Sequence, residues 1–282
     1  MRRMSIFSTL VVVATLGLTL AAIAMAATIT GTDRGERLRG TDQADTIDGM
    51  GGRDKIQAFA GDDTVTGGSG GDFIIAGKGA DSVNGNTGWD LILGGDGNDT
   101  ALNGNEGRDR VHGGDGDDGI DGGVHGDLLW GGNGNDTTNG GDGNDRIAGG
   151  RGDDISSGGN GNDRIFANLG VDITDGGEGN DDLWALARGD VTPGDALDTI
   201  GDRLTGGPGN DRFHTRDGEV DTVDCGEGDD VAILDTVDVI VDASDANQNG
   251  SCENVQRAAP RSKERKRNAR HDHDRGHRHD NR

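Results

Sequence analysis

Single apolar residues recur along this chain at intervals of nine, each set between a glycine-rich stretch and polar neighbours. Gly140-Gly-Asp-Gly-Asn-Asp-Arg-Ile-Ala148 is followed by Gly149-Gly-Arg-Gly-Asp-Asp-Ile-Ser-Ser157, then by Gly158-Gly-Asn-Gly-Asn-Asp-Arg-Ile-Phe166. A fixed long period marks a repeat architecture, in which each unit buries its apolar side chain only by stacking on its neighbours. Counted from the first glycine of each unit, positions 7–9 predict a short strand, with the eighth side chain inward and the ninth outward. Positions 1–6 predict a tight turn, because glycine at positions 1, 2 and 4 admits backbone angles closed to other residues.

The sixth position is acidic at residues 36, 45, 54, 63, 72, 81, 90 and 99. After one inserted residue it continues at 109, 118, 127, 136, 145, 154, 163, 172, 181 and 190. A longer insert around Pro193 precedes 202 and 211, and one more inserted residue precedes 221 and 230, which makes 22 units. Over about residues 31–233 this pattern resembles the RTX, or hemolysin-type, calcium-binding repeat. The resemblance implies an all-β fold: a parallel β-roll (a β-solenoid) of tandem nonapeptides, two repeats per coil, with calcium between successive loops along each edge. Eleven coils at one strand separation each would run roughly 50 Å. The stretch Asp221-Thr-Val-Asp-Cys225-Gly-Glu-Gly, closing in Ser251-Cys252-Glu253, is similar to the end of calcium-binding proteins exported by actinobacteria.

Carbonyl and carboxylate oxygens suit a hard cation such as calcium. The metal ligands so implied are the carboxylates of Asp72, Asp99, Asp118, Asp127, Asp136, Asp145, Asp154, Asp163, Asp181 and Asp211. With them go the turn glycines Gly95, Gly97, Gly114, Gly116, Gly132, Gly134, Gly141, Gly143, Gly150, Gly152, Gly159, Gly161, Gly177 and Gly179. Gly113–Asp118, Gly131–Asp136 and Gly149–Asp154 share one edge, and Gly140–Asp145, Gly158–Asp163 and Gly176–Asp181 the other. Gly94–Asp99 and Gly206–Asp211 also fit the full pattern. Ala58–Asp63, Ala76–Asp81 and Ala167–Asp172 lack the first glycine, so weak or empty sites are expected there. Gly31–Glu36 and Gly40–Asp45 lack the fourth, and a capping role is expected of them.

Sorting by alternate repeats separates two faces. On one, position 9 reads Ile75, Leu93, His112, Trp130, Ala148, Phe166 and Trp184, helped at position 7 by Phe73, Leu91 and Leu128. Soluble monomers seldom leave such a stripe bare, so it predicts a contact surface or cover by the chain's own carboxy-terminal segment. On the other face, position 9 reads Thr66, Asn84, Leu102, Asp121, Asn139, Ser157 and Asp175. There the inward position becomes Thr138, Ser156, Thr174 and Thr192, while Ile155, Ile173 and Val191 stand one residue earlier. Either this sheet has a poor core or its register slips by one residue; in both cases it should be the softest part.

Composition sharpens the picture. The chain has 282 residues, 55 of them glycine, only 30% apolar and 3% aromatic, with a formal net charge of -25. So little apolar material with so much charge ordinarily predicts disorder; bound cations resolve the conflict, since binding free energy then becomes folding free energy. The charge is uneven: +2 in residues 1–26, +6 in 257–282, and -33 between them. An acidic body argues against nucleic acid, whose phosphates require Lys and Arg.

Arg2, Arg3, an apolar run from Ile6 and the ending Ala24-Met25-Ala26 predict a secretory signal peptide cleaved after Ala26, leaving no membrane span. Cys225 and Cys252 then predict one disulfide in an oxidising, extracellular setting. The expected organisation is 1–26 signal peptide, 27–233 β-roll, 234–256 disulfide-closed cap and 257–282 disordered basic tail. Within the cap, Asp245-Ala-Asn-Gln-Asn249-Gly resembles the start of an EF-hand loop but has Gln256 at position 12, so it predicts a polar turn more than a site. The tail carries His271, His273, His277 and His279 and suits transition metals or an anionic polymer. GxGxxG-like strings are by-products of the repeat, and no nucleophile–base arrangement stands out around His112, His125 or His214.

The function expected is therefore a secreted, non-catalytic calcium-binding module. The alternatives are self-association or cell-envelope adhesion through the aromatic stripe, or service as an accessory module of an extracellular enzyme.

Overall fold

The computed structural model of the chain describes residues 25–185, 201–241 and 251–258. The described residues wind into a solenoid of 24 short strands. Odd-numbered strands in chain order form one parallel 12-stranded sheet and even-numbered strands the other, each strand pairing with the one two ahead. The register equals two repeats: Leu129 lies beside Ile147, and Ile147 beside Ile165. This is the parallel β-roll that the repeat implies. Among the described residues no helix is long and apolar enough to cross a membrane.

The strands outlast the expected positions 7–9. Leu128–Asn133 and Arg146–Arg151 each run from position 7 through position 3 of the next unit, and their buried residues alternate through the eighth and first positions. Pairing persists because the first position, almost always glycine, has no side chain to force the backbone apart. The turn itself is confined to positions 4–6.

Each coil buries one position-8 side chain per sheet. Ile56, Ile74, Ile92, Val111, Leu129, Ile147 and Ile165 stack along the even sheet, and Val65, Val83, Leu102 and Ile120 along the odd one. Leu102, expected on the outer face, is wholly buried. The residue inserted after Asp99 is absorbed before the strand Ala101–Glu106, so Val83 pairs with Leu102 and Asn84 with Asn103. Asn103 then takes the outward place and donates from Nδ2 to Asn84 Oδ1 at 3.0 Å. Burying a leucine outweighs keeping the count.

The ambiguity of the odd sheet resolves as a poor core. Thr138 pairs with Ser156 and Ser156 with Thr174 in unbroken register, and all three are buried. Ile155 and Ile173 remain half exposed, at 49% and 48%. The polar stack coincides with a division of the core: one apolar cluster runs from Leu38 to Ile165, a second from Leu183 to Cys252. Thr192 and Val191 lie outside the described residues.

The longer insert also differs from expectation. The strand Ile173–Glu178 pairs with Arg203–Thr205, and Asp182–Trp184 with Arg212–Thr215. These pairings join strands on either side of residues 186–200; Asp190 lies outside the described residues. At the far end Val239–Ile240 and Asn254–Arg257 add one more strand to each sheet, with Ile240 over Val223 and Val255 over Ala232. Cys225 and Cys252 form the expected disulfide, both buried.

Candidate metal centre

The position-6 acids form two continuous columns, one along each edge. In the first, the N–H of Asp99 donates to Asp118 Oδ1 (2.9 Å), Asp118 to Asp136 (2.9 Å), Asp136 to Asp154 (2.8 Å), and Asp154 to Asp172 (2.8 Å). Asp172 donates to Asp202 (3.0 Å), and Asp202 to Asp221 (2.8 Å). In the second, Asp109 donates to Asp127, Asp127 to Asp145, Asp145 to Asp163, Asp163 to Asp181 and Asp181 to Asp211, at 2.7–2.8 Å. Asp72 belongs to this second column, accepting from Asp54 and donating to Asp90. The columns end on Asp238 and Glu253 of the cap. Every acid expected as a ligand thus stands in the edge column its repeat number assigns.

Each of these carboxylates is used on one side only. Oδ1 accepts the backbone N–H of the preceding coil, while Oδ2 is buried and has no hydrogen-bond partner at Asp72, Asp99, Asp118, Asp127, Asp136, Asp145, Asp154, Asp163, Asp181 and Asp211. The same is true of Asp63 and Asp81, so the loops that begin at Ala58 and Ala76 keep the acid in place. Leaving a buried charged acceptor unmatched is expensive. Neighbouring acids one strand apart would repel by about 3–4 kcal/mol at an effective dielectric of ~20.

The protein answers with protons where no cation is present. Burial, reinforced by neighbouring acids (for Asp154 by Asp153 beside it), pushes Asp99, Asp136 and Asp154 up to about 7, against the opposing pull of their backbone hydrogen bonds. Asp118, Asp145, Asp163 and Asp181 rise for the same leading reason to about 6. Asp127 and Asp211 reach about 7. Asp202 is pushed to about 10 by burial and then by the charges of Asp172 and Asp221.

The glycines divide by role. Gly95, Gly114, Gly132, Gly141, Gly150, Gly159 and Gly177 at position 2, and Gly97, Gly116, Gly134, Gly152, Gly161 and Gly179 at position 4, all have positive φ. Gly143 alone of those expected does not. A methyl on Gly132 would overlap the carbonyl oxygen of Gly114, and one on Gly134 that of Gly116, so these backbones stack without room for a side chain. Position 1 was expected to share this freedom and does not: Gly94, Gly113, Gly131 and Gly149 have ordinary φ. There a methyl would overlap Oδ2 of the acid five residues on. Position-1 glycine is therefore a cradle for the carboxylate, not a hinge. Orphaned Oδ2 atoms, hard carbonyl oxygens and a cradle that a Cβ would fill together suit calcium.

One feature escaped the sequence reading. At position 5 an exposed second ladder runs outside each column: Asn98 Oδ1 accepts from Asp117 N–H, Asp117 from Asn135, and Asn135 from Asp153. Across the roll Asn144, Asn162 and Asn180 repeat it. The recurrent Asn or Asp immediately before the acid was the available signal.

The outer stripe is partly satisfied by itself. Trp184 stacks on His214 with centroids 3.7 Å apart and on Phe166 at 6.0 Å, and His214 Nε2 meets Asp182 Oδ1 at 2.9 Å. His214 is thus held between the Trp184 ring and the Asp182 carboxylate. Trp130 is 38% exposed. The described part of the carboxy-terminal segment caps the roll end as a strand; Asp245–Gly250 and most of the basic tail lie outside the described residues.

No curated protein matches the chain. The RTX calcium-binding nonapeptide repeat model matches it over residues 30–65, 39–74, 66–101, 102–124, 126–147, 148–183 and 199–232. With its two columns of acids set between stacked glycine turns, the chain belongs to the RTX calcium-binding repeat family.

Proposed function

We propose that this is an exported, non-catalytic protein whose β-roll is folded and held by several calcium ions along its two edges. The observation that carries this reading is the unmatched, buried Oδ2 repeated coil after coil. The ions would be held by the position-6 carboxylates and the carbonyls of the adjoining turns. What calcium supplies is charge neutralisation and a cross-link between neighbouring coils. Export rests on the basic-then-apolar amino terminus and fits the Cys225–Cys252 bridge. Titrating calcium into the chain from Ala27, with circular dichroism and bound ions followed together, tests the reading. The expected result is a cooperative gain of β-structure with several ions per chain; identical spectra in chelator and in millimolar calcium would overturn it.

A second reading, self-association or adhesion to a cell-envelope polymer through the even sheet, draws on the exposed Trp130. It draws also on cations set over aromatics: Lys55 Nζ lies 4.8 Å from the Phe73 ring centre, and the Arg146 guanidinium 5.3 Å from that of Phe166. Light scattering of the calcium-loaded chain tests self-association, since loss of oligomer mass in the double variant Trp130→Ser, Trp184→Ser is expected. A monomer at every concentration would remove it.

A further inference from the structure

The turn between the strands Arg212–Thr215 and Thr222–Asp224 departs from the nine-residue rule. It holds one extra residue, and Thr215 and Arg216 stand where regular loops have their first two glycines. Of its residues only Gly218 has positive φ. The loop therefore lacks the stacked glycine corner found elsewhere, and carboxylates gather in its place. Asp217, Glu219 and Asp221 each bring one oxygen within 4.8 Å of the others.

Two further observations point to a ligand. Asp221 is completely buried; its Oδ1 accepts the Asp202 N–H at 2.8 Å, while its Oδ2 has no partner. Asp235, equally buried, also has an unpartnered Oδ2, and its charge is felt at Asp217. The Glu219 N–H donates to Asp217 Oδ1 at 3.0 Å, and two other nearby donors are spent elsewhere. Thr215 Oγ1 donates to Asp238 Oδ2 at 2.6 Å, and Arg257 Nη1 donates to the main-chain carbonyls of Asp235 and Asp238, not to their carboxylates.

We propose that Asp217, Glu219 and Asp221 form a divalent-cation site of a second kind, built from three carboxylates instead of one carboxylate and turn carbonyls, that fastens the last coil to the roll. Three hard anionic oxygens select a cation of the calcium class. More ligand charge means tighter binding, so this site fills before the regular loops and orders the carboxy-terminal end first. The inference deepens the calcium-binding reading and rests on it for the choice of ion.

The experiment is calorimetric titration of calcium into the full chain from Ala27, with bound ions counted by equilibrium dialysis, for the wild type, Asp217→Asn/Glu219→Gln and Asp136→Asn. In the double variant the tightest step should weaken at least about tenfold and one ion be lost, while Asp136→Asn keeps that step. Should the double variant not recover the wild-type spectrum in saturating calcium, Glu219→Gln alone, a partly exposed change, must show the same loss. An unchanged first step and ion count in both variants overturns this site while leaving the roll reading intact. A wild type that binds one ion, lost in the double variant, upholds the site and overturns the roll reading. A wild type that binds none overturns both.

Discussion

Filling the polar gap in the core should make this protein more stable. Thr138 and Thr174 are 2% and 1% exposed, and neither hydroxyl has a hydrogen-bond partner. They flank Ser156 in one column of the odd sheet, where the two apolar clusters part. Thr→Val keeps the branched shape and removes the unmatched hydroxyl, whose burial costs about 1–3 kcal/mol. Thr138→Val and Thr174→Val should each stabilise by about 1 kcal/mol or more. At ~2–4 °C per kcal/mol for a domain of this size, the pair should raise the melting midpoint by roughly 4–8 °C. The assay is thermal unfolding in a large excess of calcium, so that metal linkage is the same in every sample. Because solenoids can open in pieces, amide exchange in the strands Thr137–Asp142, Ile155–Asn160 and Ile173–Glu178 should slow in parallel. An unchanged or lowered midpoint in both variants would refute the idea that these hydroxyls are unmatched.

Three other outcomes follow from the same geometry. In chelator the folded pKa values of about 6–7 exceed the ordinary 3.8, so the native state binds more protons than the unfolded chain, and stability is greatest below about pH 4 and is lost as pH rises through about 7. Circular dichroism of the metal-free chain should show more β-structure at pH 4.5 than at pH 8, and the reverse order would refute this; calcium uptake at pH 6–7 should also release protons into an unbuffered solution. Asp136→Asn keeps an oxygen to accept the Asp118 N–H but removes the charge, so ion counting should show weaker binding at this edge with the roll retained in excess calcium; unaltered uptake would count against the carboxylate as ligand. Cys225→Ser with Cys252→Ser should cost about 2–4 kcal/mol, with faster amide exchange confined to the strands from Thr222 onward, as exchange-detected mass spectrometry can resolve.

Much of this architecture was legible because a repeat of fixed length leaves little choice. Once Ile147 and Ile165 stand eighteen residues apart and both must be buried, parallel pairing and the assignment of acids to edges follow, and Asp118, Asp136 and Asp154 fall in one column as counted. Counting failed where a local energy outranked it. Leu102 returned to the core because burying a large apolar side chain is worth ~1.5–3 kcal/mol, more than absorbing one extra residue in an exposed turn. The cluster of Asp217, Glu219 and Asp221 was hidden for a related reason: only Asp221 keeps the period, and a search for the period passes over the other two.

The purpose of the acids themselves becomes clear from comparing two ladders that run side by side. At position 5 the side chain accepts a backbone N–H from a neighbouring coil, and asparagine and aspartate alternate freely there: Asn98, Asp117, Asn135, Asp153. At position 6 the side chain also accepts a backbone N–H, from the preceding coil instead of the following one, yet every described member, from Glu36 to Glu253, is an acid. A hydrogen-bond ladder alone needs only one carbonyl-like oxygen, which asparagine supplies without the repulsion of stacked charges. Restriction to acids must therefore come from the second oxygen. That atom is the one buried against the position-1 glycine without a partner. An amide in its place would set two N–H donors among oxygens able to accept them, so hydrogen bonding alone would favour asparagine. A carboxylate there is costly in the bare protein, as the upward shifts of the column record, and becomes favourable only when a cation joins it. On the function proposed above, the choice of residue at position 6 is set by the ion and not by the strand pairing, and so two ladders that both bond backbone N–H groups differ in composition.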